Sequence, residues 1–186
     1  MNKIIPHVLN ADAHIEMQYT LKIREALPQD RKKLDQMQFA LQKYFSEIDS
    51  TKESLPYKSL NVAHQYMQKM LDDASTMNGK IFVAEKNKRV IAFIQGVIIE
   101  HKKGADPIYD LSHMPTKEGW IGLLYVEPEF RGQKIGQKLL DAIKKFFKSQ
   151  NCTHIKLLVL SDNTDAIAVY KKNNFIPHDL EMILEL

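Results

Sequence analysis

Residues 125 to 136 read YVEPEFRGQKIG. An aromatic and apolar stretch stops at Pro128, Arg131 and Gly132 follow at once, and a second glycine stands at 136. A strand that turns straight into a helix aims the helix's first amides at whatever lies beyond the strand's end. Those first four N–H groups have no partner inside the helix, and the helix dipole adds positive potential. An anion, typically a phosphate, is the natural guest. Gly132 and Gly136 clear side chains from the approach, while Arg131, Lys134 and Lys138 add charge. From 131 to 148 the cations Arg131, Lys134, Lys138, Lys144, Lys145 and Lys148 face one acid, Asp141. A pyrophosphate suits this place better than a nucleic-acid backbone. The spacing is neither that of the P-loop, which needs Gly-Lys-Ser/Thr, nor the dinucleotide pattern G-x-G-x-x-G.

The rest of the chain supplies elements around this turn. QYTLKIRE (18–25) alternates as a half-buried strand. Asp30 stands where it can cap a helix with Leu34, Met37, Leu41, Tyr44 and Ile48 on one face. Pro56 opens a second helix with Leu60, His64, Met67 and Leu71 at helical spacing, closed by the turn Asn78-Gly79. IFVAE (81–85) and VIAFIQGVIIE (90–100) form a hairpin. Residues 101–119 read as a loop, WIGLLYV (120–126) as a strand and Arg131 to Gln150 as a helix. HIKLLVL (154–160) is a buried strand. A cap at Asp162, Asn163 or Thr164 starts a last helix, Asn174 ends it, and DLEMILEL (179–186) forms a final strand. The predicted order is β-α-α-β-β-β-α-β-α-β, an α/β fold with a mixed, mostly antiparallel sheet and helices on both faces. Residues 18–186 are expected to form one domain and residues 1–17 an extension.

Composition narrows the setting. The chain has 186 residues, 44% hydrophobic and 26% charged, with net charge +3. That is ordinary for a globular domain and too mild to argue for nucleic acid. Cys152 is the single cysteine, which excludes internal disulfides and fits a reducing cytoplasm. No apolar run reaches the roughly 20 residues of a membrane span, and Pro6 breaks the N-terminal apolar pair as a secretory core. A cytoplasmic protein with no membrane partner is expected.

LLYVEPEFRGQKIG resembles the acetyl-coenzyme A motif of the GNAT acetyltransferase superfamily, a strand ending L-x-V-x-P followed by Arg/Gln-x-x-Gly-x-Gly/Ala. NTDAIAVYKKNNF resembles the family's second motif, an Asn, a short helix and a Tyr before a Lys-x-Gly-Phe end. The resemblance implies acetyl-CoA as cosubstrate, with Leu124, Tyr125 and Val126 pairing their backbone with the pantetheine arm. It implies pyrophosphate contacts from Arg131, Gly132, Gln133, Lys134, Ile135, Gly136 and Gln137. Asn163 would hold a pantetheine amide, and Tyr170 would return a proton to the departing thiolate. Three positions depart from the pattern: Lys134 replaces the first motif glycine, Asn174 replaces the glycine before Phe175, and Gly122 stands where many relatives carry a glutamate base.

Candidates for a base are Glu100, His101, Glu118 and Tyr125, beside a water chain serving an amine already partly deprotonated. The seven histidines show no ligand spacing, so no metal is assigned. Asp106, Asp110 and Glu118, with Glu47, Asp49 and Glu53, would suit a cationic amine, either a small molecule or a peptide. The implied function is N-acetyl transfer from acetyl-CoA to a primary amine. The alternative is a non-catalytic acyl-CoA-binding or interaction module. No nucleic-acid partner is expected, since Phe146 and Phe147 fall on the apolar side of their helix; a homodimer through an edge strand is compatible with the fold.

Overall fold

The computed structural model describes residues 20–102, 104 and 116–184. Among them a five-stranded sheet runs in the order β1 (Leu21–Glu25), β2 (Lys80–Lys86), β3 (Arg89–His101), β4 (Thr116–Val126) and β5 (His154–Leu157). β1 to β4 pair antiparallel, and β5 joins β4 in parallel. Helices α1 (Arg31–Ile48) and α2 (Leu60–Thr76) precede β2, α3 (Ile135–Ser149) links β4 to β5, and α4 (Thr164–Lys172) follows β5.

The central strand β3 is buried from Val90 to Ile98, as its nearly unbroken apolar run requires of a strand covered on both faces. One face carries Val83, Phe93, Leu123 and Tyr125 against Leu34, Met37 and Leu41 of α1 and Met67 of α2. The other carries Ile91, Ile94 and Ile121 against Ile135, Leu139, Leu140, Ile143 and Phe147 of α3. Burying each such side chain is worth about 1.5–3 kcal/mol. Phe147, fully buried, lies where side chains on two glycines would be: a Cβ on Gly96 would stand 2.6 Å from its Cζ, and one on Gly119 would overlap its ring.

Several predicted boundaries move for physical reasons. Asp30 occupies the cap position of α1, yet its carboxylate accepts from the Leu27 amide at 2.7 Å and pairs with Arg24 at 2.6 Å. The Arg24 guanidinium holds that carboxyl below the usual carboxylate range. α2 begins at Leu60 and not at Pro56, and it buries Ala63, Met67 and Ala74. Leu60 stays exposed, and His64 turns outward to bond Asp35 at 2.7 Å. β4 starts at Thr116, inside the segment read as a loop, because Glu118 and Gly119 pair with β5. α3 starts at Ile135; residues 131–134 form a turn. β5 stops at Leu157, and Leu158 is exposed. Residues 179–184 hold no strand, and Leu180, Met182 and Leu184 are exposed. Residues 1–17 and most of the 101–119 loop lie outside the described residues.

Candidate functional site

The β4–β5 ladder pairs Glu118 to Ile121 with His154 to Leu157 and then ends. From Gly122 to Val126, β4 keeps β3 on one edge, where Leu123 to Val126 pair with Gln95 to Ala92. Among the described residues no strand covers its other edge. The parting of the two strands leaves an opening whose wall is the backbone of Leu124, Tyr125 and Val126. At its start the register slips between Gln95 and Gly96, leaving Gly122 as an extra, exposed residue on β4.

At the other end of the opening the chain passes through Pro128–Phe130 into the turn 131–134, all four residues exposed. Gly132 takes φ +76°, which suits glycine, and a side chain there would meet nothing within 4 Å. Lys134 adopts the left-handed conformation at φ 59° and ψ 18° just before α3. No side chain caps this helix, and its first internal bond runs from the Lys138 amide to the Lys134 carbonyl. The preceding amides are therefore available to an anion. A Cβ on Gly136 would come no nearer than 3.8 Å to Val126 Cγ2. The turn is open above Gly132, lies at an uncapped helix start and is flanked by Arg131 and Lys134, a setting able to hold an anion. Arg131 is steadied by its Nε donating to the Val126 carbonyl at 3.2 Å and by lying 5.3 Å over the Tyr44 ring.

α4 borders the same opening. Asn163, buried, caps it by accepting from the Ala166 amide at 3.3 Å, and the Tyr44 hydroxyl reaches the same oxygen at 3.4 Å. The Ser50 amide donates to Asp162 at 2.8 Å, so the end of α1 is tied to the start of α4. α4 closes with Asn174 left-handed at φ 66°, its amide on Lys171 O and the Phe175 amide on Tyr170 O. That is a Schellman ending, with the C″ residue Phe175 edge-on to Tyr170 at 5.7 Å. Asparagine serves here where the pattern has glycine. Burial pushes the Tyr170 phenol up to about 12.

The base candidates do not gather at this opening. Glu100 and His101 pair with Lys117 and Thr116 at the far end of β4. Glu118, buried, is held by Lys156 at 2.9 Å and sits four residues, roughly 13 Å along the strand, before Gly122. Tyr125 is buried among Phe93, Leu123 and the α1 residues, and burial raises its phenol. Sequence reasoning passed over two contributors. By spacing Tyr44 belongs to the core stripe of α1, and only the fold brings it to Arg131 and Asn163. Gln95 sits in an apolar run with no motif around it; an amide inside VIAFIQGVII is the signal that was available. Gln95 is 2% exposed, its Oε1 has no hydrogen-bond partner, and a Cβ on Gly122 would overlap that oxygen.

Among the described residues no cluster of His, Cys, Asp or Glu could hold a metal ion, and no helix is long and apolar enough to cross a membrane. The model of the acetyltransferase (GNAT) family matches residues 41–175. The chain is 32% identical over 114 residues to N-alpha-acetyltransferase 60 of Xenopus tropicalis, covering 60% of this chain and 45% of that protein. It is 38% identical over 48 residues to thialysine N-epsilon-acetyltransferase of Sus scrofa, covering 26% and 28%. It thus spans less than half the length of these curated relatives. The fold is similar to that of a "predicted acetyltransferase with acetyl-CoA" from Clostridium acetobutylicum, with TM-score 0.63, 22% identity, and coverage of 89% of this chain and 96% of that one. The family match takes in both the turn before α3 and the cap of α4, and the chain belongs to the acetyltransferase (GNAT) family.

Proposed function

We propose that this protein transfers an acetyl group from acetyl-CoA directly to a primary amine. The observation that carries the reading is the uncapped start of α3, set behind an open glycine turn at the end of a strand whose second edge no described strand covers. In this reading the pyrophosphate lies on the amides of residues 134–137 with Arg131, Gly132 and Gln133 around it. The pantetheine arm runs beside Leu124 to Val126 as an added strand, and Asn163 faces it from α4. The amine nitrogen attacks the thioester carbon, a C–N bond forms, the C–S bond breaks, and sulfur leaves as thiolate. The proton lost by nitrogen is the one sulfur finally gains. A β4 amide donates to the carbonyl oxygen as negative charge builds there.

Tyr170 enters as a hydrogen-bond donor to the departing sulfur. With its phenol raised to about 12, outright proton transfer to a thiolate of pKa about 8.5 is uphill, whereas donation of a hydrogen bond is available at every physiological pH. For the acceptor we infer a peptide α-amine. The match to an N-alpha-acetyltransferase over 60% of this chain supports it above the shorter match to an N-epsilon enzyme. The test is calorimetric titration with acetyl-CoA, followed by thiol release in the presence of peptides with a free α-amine. Saturable binding and peptide-dependent release are expected; binding without release by any amine would leave only an acyl-CoA-binding module.

A further inference from the structure

Among the described residues no carboxylate stands at Gly122, but an amide oxygen does. Gln95 Oε1 occupies the space that a side chain on Gly122 would need. The residue is buried on the face shared with Phe93, two positions earlier, and Leu123, directly across the ladder. A buried amide oxygen with no partner is destabilising. The oxygen is itself buried, and the exposed Gly122 beside it stands where the strands part. α1 brings a second oxygen of this kind to the same face: Gln38, 1% exposed, donates through Nε2 to the Tyr57 hydroxyl at 3.1 Å while its Oε1 has no partner.

Resting on the transfer reading above, we propose that Gln95 receives the attacking amine as a neutral base, its Oε1 accepting one N–H in place of a carboxylate. A neutral amine has two N–H donors and one lone pair. Holding one N–H leaves the lone pair free to face the thioester carbon. An amide oxygen cannot remove a proton, so the amine must arrive without its extra one. That selects acceptors by their own ionisation. Near pH 7.4 an α-amine is about 30% neutral and a lysine ε-amine about 0.1%, a difference of roughly 300-fold in usable substrate. The amine's surplus proton is released to solvent before binding, and the proton shed after attack passes to the thiolate.

The test compares the full chain with Gln95→Leu and Gln95→Glu, using a peptide whose α-amine is free and whose lysines are blocked. Gln95→Leu removes an unpaired polar atom and should keep or raise the thermal midpoint, with KM for acetyl-CoA unchanged. kcat/KM for the peptide should fall at least tenfold. In the wild type, kcat/KM should rise with pH as whichever amine is offered loses its proton, so the profile moves by about two pH units or more between an α-amine and an ε-amine. Gln95→Glu should add a limb that stays put when the amine is changed. Unchanged peptide kinetics in Gln95→Leu, or a wild-type limb fixed regardless of the amine, overturns the role of Gln95 and leaves acetyl transfer standing. Absence of turnover with every amine overturns the transfer reading, and this inference with it.

Discussion

Gln137 on α3 and Asn173 at the end of α4 exchange side-chain amide hydrogen bonds, Nε2 to Oδ1 at 2.6 Å and Nδ2 to Oε1 at 2.8 Å. Lys144 adds a bond to the same Asn173 oxygen at 3.0 Å. The helix that starts at the anion turn is thereby bolted to the helix that carries Tyr170. Asn173→Ala should cost about 1–3 kcal/mol, since it removes a buried amide whose hydrogen bonds to half-buried Gln137 and Lys144 join the two helices. Turnover should drop more than acetyl-CoA affinity, because the cradle survives while the placement of Tyr170 does not. A denaturation midpoint and a calorimetric titration on one preparation would check both halves.

Gly136→Glu should move stability and binding in opposite directions. The side chain has room, and a carboxylate in the first turn of α3 favours the helix by about 0.3–1 kcal/mol. The same charge faces the pyrophosphate, so acetyl-CoA binding should fall at least a hundredfold. A variant that is less stable and still binds would place the phosphate elsewhere.

Lys134 carries a left-handed backbone at φ 59° that costs a non-glycine residue about 1 kcal/mol. Lys134→Gly should therefore raise the thermal midpoint by about 2–4 °C. It also removes a cation, so acetyl-CoA affinity should weaken and depend less steeply on salt. Titrations at two ionic strengths separate these effects.

Tyr170 makes the fold sensitive to alkali. Its phenol rises from about 10 unfolded to about 12 folded, so its contribution is complete below pH 10 and is lost as pH climbs from 10 to 12. The loss should be on the order of 2–3 kcal/mol, and Tyr170→Phe should remove that part of the alkaline slope in equilibrium denaturation. The same substitution should lower turnover ten- to a hundredfold with acetyl-CoA affinity unchanged.

Glu118→Gln tests a residue that the fold withdraws from the chemistry. Its ion pair with Lys156 ties β4 to β5 away from the opening. Stability should fall by only about 0.5–1.5 kcal/mol, because Lys156 is exposed and its ammonium stays hydrated when the ion pair is lost. Turnover of the folded fraction should stay within threefold of wild type, read from initial rates corrected for active sites by acetyl-CoA titration.

Local chemistry made the anion turn legible in the chain itself. Pro128, Gly132, the cations and the helical stripe Ile135, Leu139, Ile143 and Phe147 are all close in sequence, and backbone sterics and helix periodicity act over that range. The cap at Asn163 and the left-handed Asn174 were readable for the same reason. The Gly122 bulge was not, because it exists only where the β3–β4 ladder slips. Nor was the meeting of Tyr44, Arg131 and Asn163, whose separations along the chain exceed any local rule. Burial also reassigned residues that composition left equal: Glu118 was consumed by Lys156, and Gln95 was left unpaired beside a glycine. The sequence determined where an open glycine turn meets uncapped helix amides, because that depends on residues adjacent in the chain. Only the tertiary structure decided what stands beside Gly122, because that depends on which side chain fills the space a missing one leaves.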